Sequence, residues 1–97
     1  MRNTDKVTLT TSMSIGFDDF RDLVQEVCGN GYDVEDDYGS LRFFRIDEDG
    51  EEIENEDADA TELFVTERLE EYFEVTICNF RTVSEYGSFE VMIQYID

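Results

Sequence analysis

Histidine and proline are absent from this 97-residue sequence, and lysine occurs once, at Lys6. Without histidine the chain cannot build an acid/base pair, a nucleophilic triad or a zinc site that depends on that residue. The six glycines form no Gly-rich phosphate loop. Because neither proline nor a Gly/Ser-rich linker divides the chain, we expect a single domain over residues 1–97.

Cysteine is also scarce. Cys28 and Cys78 are the only two, and both lie in apolar runs, which is typical of buried free thiols rather than of a disulfide. No run reaches the ~18–20 apolar residues that a membrane-spanning helix needs. Residues Met1–Asp5 lack the apolar segment of a signal peptide, so we expect a cytoplasmic protein that does not contact a membrane.

The abundant residues are acidic: 26 Asp and Glu stand against 7 Lys and Arg, giving a formal net charge of −19. A small soluble domain needs a net charge of only about 2–8, and the excess repels itself in the compact state. Hydrophobic residues still make up 40% of the chain and aromatic residues 13%, too much for a disordered acidic tail. We therefore expect a folded domain whose charge meets a strongly basic surface, of the kind that binds nucleic acid.

Apolar periodicity predicts the secondary structure. The predicted strands span residues 6–13, 41–46, 74–83 and 88–96, with a short edge strand at 51–54. Helices are predicted over Phe17–Cys28 and from an N-cap at Asp59, where Glu62 completes a capping box. The resulting order, β-α-β-(β)-α-β-β, predicts an α+β fold: a mainly antiparallel sheet of four or five strands with two helices on one face.

The same periodicity selects the core. We expect the helices to bury Phe17, Phe20, Val24, Val27, Val65, Leu69, Tyr72 and Phe73. We expect the strands to bury Val7, Leu9, Met13, Phe89, Val91, Ile93 and Tyr95.

Half of the acidic residues fall into two runs. The first run occupies the predicted connection after the first helix and contains Asp33, Glu35, Asp36 and Asp37. The second run places nine acids in thirteen residues: Asp47, Glu48, Asp49, Glu51, Glu52, Glu54, Glu56, Asp57 and Asp59. The helices add exposed acidic stripes, made of Asp18, Asp22 and Glu26 on the first helix and of Glu67, Glu70, Glu71 and Glu74 on the second.

The spacing of these acids is suggestive. Acids at positions i and i+4 of a helix lie about 6 Å apart, and alternate residues of a strand recur at roughly 6.6 Å. Both distances resemble the separation of successive phosphates along a nucleic-acid strand. A single charge run is more often a solvated face or a loop, but the runs and stripes together favour a functional acidic surface.

Other motifs in the chain do not indicate catalysis or metal binding. The segment Asp47–Gly50 resembles a calcium-binding loop only superficially, because alignment on Gly50 puts Arg45 at the first ligand position. Carboxylate pairs occur throughout the chain and therefore do not mark an active site. We expect no catalytic residue, no metal site and no cofactor.

Exposed aromatic residues are the other class of candidate. Three tyrosines lie close to glycines in polar segments: Tyr32, Tyr38 and Tyr86. They either cover the edges of the core or anchor a protein interface that is surrounded by charge. Arg42 and Arg45 are expected to neutralise neighbouring acids rather than to bind anions.

The acidic runs Asp33–Asp37 and Asp47–Asp59 and the helix stripes around Asp22 and Glu70 carry a family resemblance. In these features the chain resembles the DNA-mimicking anti-restriction and anti-CRISPR proteins, which are small acidic bacteriophage proteins that act against host defence. Its length, α+β order and spread of acids are most similar to DNA-mimic inhibitors of the type I-F CRISPR surveillance complex. The resemblance implies a non-enzymatic inhibitor in the host cytoplasm, without direct contact to nucleic acid. It implies docking on the DNA-binding channel of Cas subunits, which excludes DNA.

Two other interpretations stay open. An immunity protein or antitoxin that blocks a basic nuclease is also small and acidic, and binds one cognate toxin. A domain adapted to high salt also combines many acids with little lysine, although the two alanines and the many Phe and Ile residues are less typical of it.

Overall fold

The computed structural model describes residues 10–54 and 57–96, which form five strands and two helices. The strands are β1 (Thr11–Gly16), β2 (Tyr32–Asp37), β3 (Ser40–Arg45), β4 (Thr76–Glu85) and β5 (Ser88–Ile96). The helices are α1 (Phe17–Cys28) and α2 (Ala58–Phe73). The strand pairs in these residues are antiparallel, and the order β-α-β-β-α-β-β confirms the predicted α+β fold.

The strands divide between two sheets instead of forming one. β1, β5 and β4 form a three-stranded sheet in that order, and β2 and β3 form a separate hairpin. A backbone hydrogen bond of 2.9 Å joins the sheets, donated by the N–H of Thr82 in β4 to the carbonyl oxygen of Gly39 in the β2-β3 turn. Away from this contact, Leu63 and Thr66 of α2 line a cleft together with residues of β3 and β4.

The acidic stretch that was expected to be a connection is strand β2. Val34 is 3% exposed, and the alternation of a strand therefore turns Asp33 and Glu35 to the opposite side, away from the core. There Glu35 is exposed, while Asp33 is partly covered and paired with Arg21. The sequence did not predict this strand because Asp and Glu are depleted in strands, and four of its six residues are acidic.

Several boundaries also differ from the prediction. Residues 51–54 form no strand, only an isolated bridge between Ile46 and Glu52. The N-cap of α2 is Asp57 rather than Asp59, since the Asp57 carboxylate accepts hydrogen bonds from the N–H groups of Asp59 and Ala60. β1 begins at Thr11, and the predicted strand residues 6–9, with Val7 and Leu9, lie outside the described residues.

One core is shared by both sheets and both helices. Its buried members are Phe20, Val24, Val34, Leu41, Phe43, Val65, Leu69, Val91 and Ile93. Two predicted core residues are instead exposed: Tyr72, at 54%, and Phe89, at 40%. Tyr72 lies in the last turn of α2, and Phe89 covers the edge of the core by stacking on Phe17 at a ring distance of 4.7 Å.

The two cysteines are free thiols in different environments. Cys28 is partly buried at the end of α1, and this burial raises the pKa of its thiol. Cys78 is exposed, contrary to expectation. The pairing of β4 with β5 skips a residue between Ile77 and Asn79, so Cys78 occupies a bulge, where the apolar alternation no longer predicts its side.

Candidate functional site

The acidic side chains lie almost entirely at the surface. Of the 26 acids, 23 fall within the described residues, and 20 of these are exposed. The other three, Asp33, Glu70 and Glu90, are partly buried. Within the described residues, then, no carboxylate has the full burial that commonly raises the pKa of a catalytic acid.

The first acidic run is divided by the pleat of β2. Asp33, Glu35 and Asp37 share the outward side, at about 6.6 Å per step, and pair in register with Phe44, Arg42 and Ser40 of β3. Asp36 lies on the other side and has a structural role. Its carboxylate accepts hydrogen bonds from the Gly39 N–H at 3.2 Å and from the Thr82 hydroxyl at 2.5 Å.

Asp33 is neutralised within the fold by Arg21 of α1. Two parallel hydrogen bonds of 3.0 Å run from Nε and Nη2 of Arg21 to the two carboxylate oxygens of Asp33. This bidentate pairing raises the pKa of Arg21, and it ties β2 to α1. The Asp33 side chain is only 15% exposed, so it offers little to a partner.

Arg42 connects the two acidic runs. Its Nε donates to Glu35 at 2.7 Å, while Nη1 and Nη2 donate to Glu52 at 2.9 and 2.7 Å. The guanidinium also lies over the ring of Phe44, 4.6 Å from its centre. These hydrogen bonds raise the pKa of Arg42 and lower the pKa of Glu52. As the sequence predicted, Arg42 neutralises neighbouring acids, and it holds residues 47–54 against the β2-β3 hairpin.

The second run begins in an ordered turn. The Asp47 carboxylate accepts from the N–H groups of Asp49 at 2.9 Å and Glu51 at 3.0 Å, and the Asp47 N–H donates to the carbonyl of Glu51 at 2.9 Å. The Gly50 N–H donates to the carbonyl of Asp47 at 3.0 Å and closes the turn. The carboxylates of Glu48, Asp49 and Glu51 are thereby presented from a fixed backbone.

The thirteen predicted contact acids therefore fall into three groups. Six carboxylates already have partners in the fold: Asp33, Glu35, Asp36, Asp47, Glu52 and Asp57. Six exposed ones make no hydrogen bond or ion pair through the carboxylate with any described residue: Asp37, Glu48, Asp49, Glu51, Glu54 and Asp59. Glu56 lies outside the described residues.

These six unpaired acids lie toward both ends of the β2-β3 hairpin, and we call them together the acidic surface. Asp37 pairs in register with Ser40, and Ser40 and Asp59 line the same cleft, of about 540 Å³. On the other side, the Arg42 clamp brings the turn with Glu48 and Asp49 to the hairpin. Sequence reasoning could not separate these six acids from the six paired ones, because the arginine, threonine and backbone donors that pair them are selected by strand register, local backbone geometry and tertiary packing.

The helix stripes are also exposed, with one exception. Asp18, Asp22 and Glu26 on α1 and Glu67, Glu71 and Glu74 on α2 are exposed. Glu70 is partly buried because its carboxylate accepts the N–H of Ile77 at 2.8 Å, which covers the start of β4.

The two tyrosines proposed as anchors differ sharply. Tyr32 is half-buried: its ring stacks on Phe64 at 5.2 Å and lies 4.7 Å below the guanidinium of Arg45. It therefore covers the edge of the core, which is one of the two roles that the sequence left open for it. Tyr38 is fully exposed in the β2-β3 turn.

The described ranges 10–54 and 57–96 contain no group of three or more Cys, Asp or Glu residues arranged to hold a metal ion. Neither α1 nor α2 is long and apolar enough to cross a membrane. Comparison of the chain with protein-family models, with curated proteins and with solved structures gave no match.

Proposed function

We propose that this protein is a non-enzymatic inhibitor that mimics the DNA backbone and blocks the DNA-binding channel of a bacterial defence complex, a type I CRISPR-Cas surveillance complex. The observation that carries the proposal is the acidic surface, whose six exposed carboxylates have no partner among the described residues, and three of which, Glu48, Asp49 and Glu51, lie on the turn ordered by Asp47. Solubility does not require this arrangement, because a net charge of about 2–8 suffices for a small domain.

The chemistry of the acidic surface suits a site that normally receives phosphates. A carboxylate carries one negative charge, as a backbone phosphate does, and accepts bidentate hydrogen bonds from arginine. The Asp47 turn fixes the backbone that carries Glu48, Asp49 and Glu51, so these three carboxylates are presented from fixed positions. A basic channel would therefore meet negative charge at fixed positions, as it does with the phosphates of DNA.

Preorganisation gives such a mimic an advantage over DNA. The Asp47 turn and the Arg42 clamp hold the carboxylate-bearing backbone before binding. Little ordering is then needed on association, whereas DNA has to be bent or deformed to fit many proteins. The remaining acids, including those on the helices, give the long-range field that speeds encounter with a positive channel.

The proposal places the protein in the host cytoplasm, where the defence complex acts, with the Cas subunits that line the DNA channel as its partners. Inhibition of this kind needs no cofactor. Direct binding to nucleic acid is opposed by the formal charge of −19.

The test measures displacement of a fluorescent target duplex from a purified type I-F surveillance complex. We expect the wild-type protein to release the duplex. The triple variant Glu48→Gln/Asp49→Asn/Glu51→Gln removes three charges of the acidic surface, and we expect it to need a roughly tenfold higher concentration, since tenfold corresponds to only about 1.4 kcal/mol.

A matched control separates the surface from bulk charge. The triple variant Asp22→Asn/Glu26→Gln/Glu67→Gln removes the same number of exposed charges from the helices. We expect it to inhibit within about threefold of the wild type, because long-range field affects encounter more than the bound state. Failure of the wild type to release DNA, or equal losses in both triple variants, would contradict the proposal.

A further inference from the structure

The two hairpins end in the same kind of turn. The four-residue pattern acid-Tyr-Gly-Ser occurs as Asp37–Ser40 and again as Glu85–Ser88. In each case the acid pairs with the serine across a two-residue loop. The backbone has φ of 52° at Tyr38 and 89° at Gly39, and 51° at Tyr86 and 80° at Gly87. Positive φ at both central positions defines a type I′ turn.

Tyrosine is an unfavourable residue at the first central position of such a turn. Type I′ turns favour Asn, Asp or Gly there, because a bulky side chain at positive φ crowds its own backbone. Glycine fills the second position in both turns, as the geometry favours, yet the first position carries tyrosine twice. Strain of this kind, repeated at two sites, points to a role outside folding.

Packing does not compensate for the strain. Both Tyr38 and Tyr86 are 101% exposed, and within the described residues neither takes part in a ring contact, a cation–π contact or a hydrogen bond. The other tyrosines are engaged: Tyr32 stacks on Phe64, Tyr72 packs edge-to-face on Phe73 at 5.0 Å, and Tyr95 is half-buried.

The two turns point toward the same end of the molecule. Phe43 of β3 and Phe80 of β4 pack edge-to-face at 5.5 Å, and the hydrogen bond between Thr82 and Gly39 lies further toward both turns. The hairpins therefore run side by side. Tyr86 follows Thr82 by four residues along β4, which puts the second turn about 13 Å beyond this contact.

The chain around both turns is acidic. Residues 36–40 and 82–90 contain Asp36, Asp37, Glu85 and Glu90, and the nearest arginines along the chain are Arg42 and Arg81. Asp18 and Asp19 of α1 line a depression together with Phe89, which follows the second turn by two residues, so they add charge near this end. An exposed phenol ring beside carboxylates suits a guanidinium, which stacks on the ring while it donates to a carboxylate.

We propose that Tyr38 and Tyr86 are paired anchors that hold arginine side chains of a partner protein's basic surface. This inference deepens the proposed function, on which it rests for the identity of the partner, by naming the residues that recognise arginine rather than positive charge alone. Tyrosine and arginine are enriched among the residues that dominate interface energies. The end of the molecule that carries both turns is negatively charged and repels nucleic acid, so the partner that binds there is a protein.

The experiment measures binding of two peptides of equal charge, nona-arginine and nona-lysine, by isothermal titration calorimetry at low salt. The double variant Tyr38→Asn/Tyr86→Asn keeps the net charge and puts the residue that type I′ turns favour at both positions. We expect its affinity for nona-arginine to fall about fivefold to tenfold, while its affinity for nona-lysine changes less than about twofold.

Two measurements control this result. The variant Tyr72→Gln removes an exposed tyrosine from α2, and both peptide affinities should stay within about twofold of the wild type. The melting temperature of the Asn double variant should equal or exceed that of the wild type, since the strain is removed. An unchanged nona-arginine affinity in the double variant, an equal loss for both peptides, or an equal loss in Tyr72→Gln overturns the inference.

The peptide assay contains neither DNA nor a defence complex, so its outcome is independent of the proposed function. Tyrosine-dependent arginine binding combined with no DNA release by the wild type would overturn the proposed function alone. DNA release that is the same with and without both tyrosines would overturn the anchors alone.

Discussion

The hydroxyl of Thr82 donates a hydrogen bond of 2.5 Å to the carboxylate of Asp36, 46 residues earlier in the chain. Together with the backbone bond from Thr82 to Gly39, it fixes the β2-β3 hairpin to the edge of the three-stranded sheet. Thr82 thus connects the acidic hairpin to the three-stranded sheet, in addition to the Arg21–Asp33 pairing that ties β2 to α1.

The first prediction concerns this contact. Thr82→Val keeps the branched shape and removes the donor, so Asp36 loses a partner. We expect the free energy of unfolding to fall by about 1 kcal/mol, measured by urea denaturation with an unchanged m-value. Thr76→Val, at an exposed position of the same strand, is the control and should cost less than about half as much. Equal losses would mean that the Asp36 contact adds nothing.

The second prediction concerns pH and the Arg42 clamp. Hydrogen bonds from Arg42 lower the pKa of Glu52, so this pairing stabilises the fold above the ordinary pKa of a glutamate and is lost as pH falls through the lowered value. In Arg42→Met, carboxylate titration followed by NMR should show the pKa of Glu52 returning upward to its ordinary value. Arg68→Met, which breaks the pairing with Glu71 instead, should leave Glu52 unchanged. A Glu52 titration that is the same in all three proteins would rule out the clamp.

A third prediction tests where α2 begins. Asp57→Ala removes the carboxylate that accepts from the N–H groups of Asp59 and Ala60, and we expect a loss of about 1 kcal/mol in the free energy of unfolding. Asp59→Ala removes the same charge two residues later, in the first turn of α2, and should cost only a few tenths of a kcal/mol. A larger loss for Asp59→Ala than for Asp57→Ala, measured by thermal or urea denaturation, would mean that Asp59 is the N-cap of α2.

The salt dependence of thermal stability distinguishes a functional acidic surface from adaptation to high salt. Self-repulsion at a formal charge of −19 weakens with screening, so the melting temperature should rise as salt is added. The core of both sheets and both helices should nevertheless give a cooperative melt in dilute buffer. Unfolding at low ionic strength with refolding in molar KCl would instead support a domain adapted to high salt.

Much of the fold was predictable because its apolar periodicity is strong. Helix α1 has the predicted bounds, with Phe20 and Val24 buried and Gly29 just past its end. The terminal hairpin is also confirmed, its inward positions Val91 and Ile93 being fully buried. In these segments local propensity, pattern and tertiary packing agree.

Strand β2 was missed because two signals conflicted. Val34 is a single buried residue among four acids, so composition indicated a solvated connection while packing against the core made a strand. The capping residue was also missed, since Asp57 and Asp59 are chemically equal candidates and backbone geometry selects between them.

The sequence also predicted that acids would form the candidate site, but not which ones. For three acids the pairing depends on an arginine from elsewhere in the fold: Arg21 pairs with Asp33, and Arg42 pairs with Glu35 and Glu52. These pairs connect separate segments of the chain, and no local spacing encodes them. The exposed Tyr38 was named from its neighbours, whereas its equivalence to Tyr86 depends on the backbone of both turns.

The central claim is that the protein and DNA compete for one channel. The most direct measurement is the affinity of the protein for an immobilised, purified type I-F surveillance complex at increasing concentrations of target duplex. We predict that the apparent dissociation constant rises in proportion to the duplex concentration and that no species containing all three components forms. An affinity that duplex does not change, or a stable complex of protein, surveillance complex and DNA, would contradict the account.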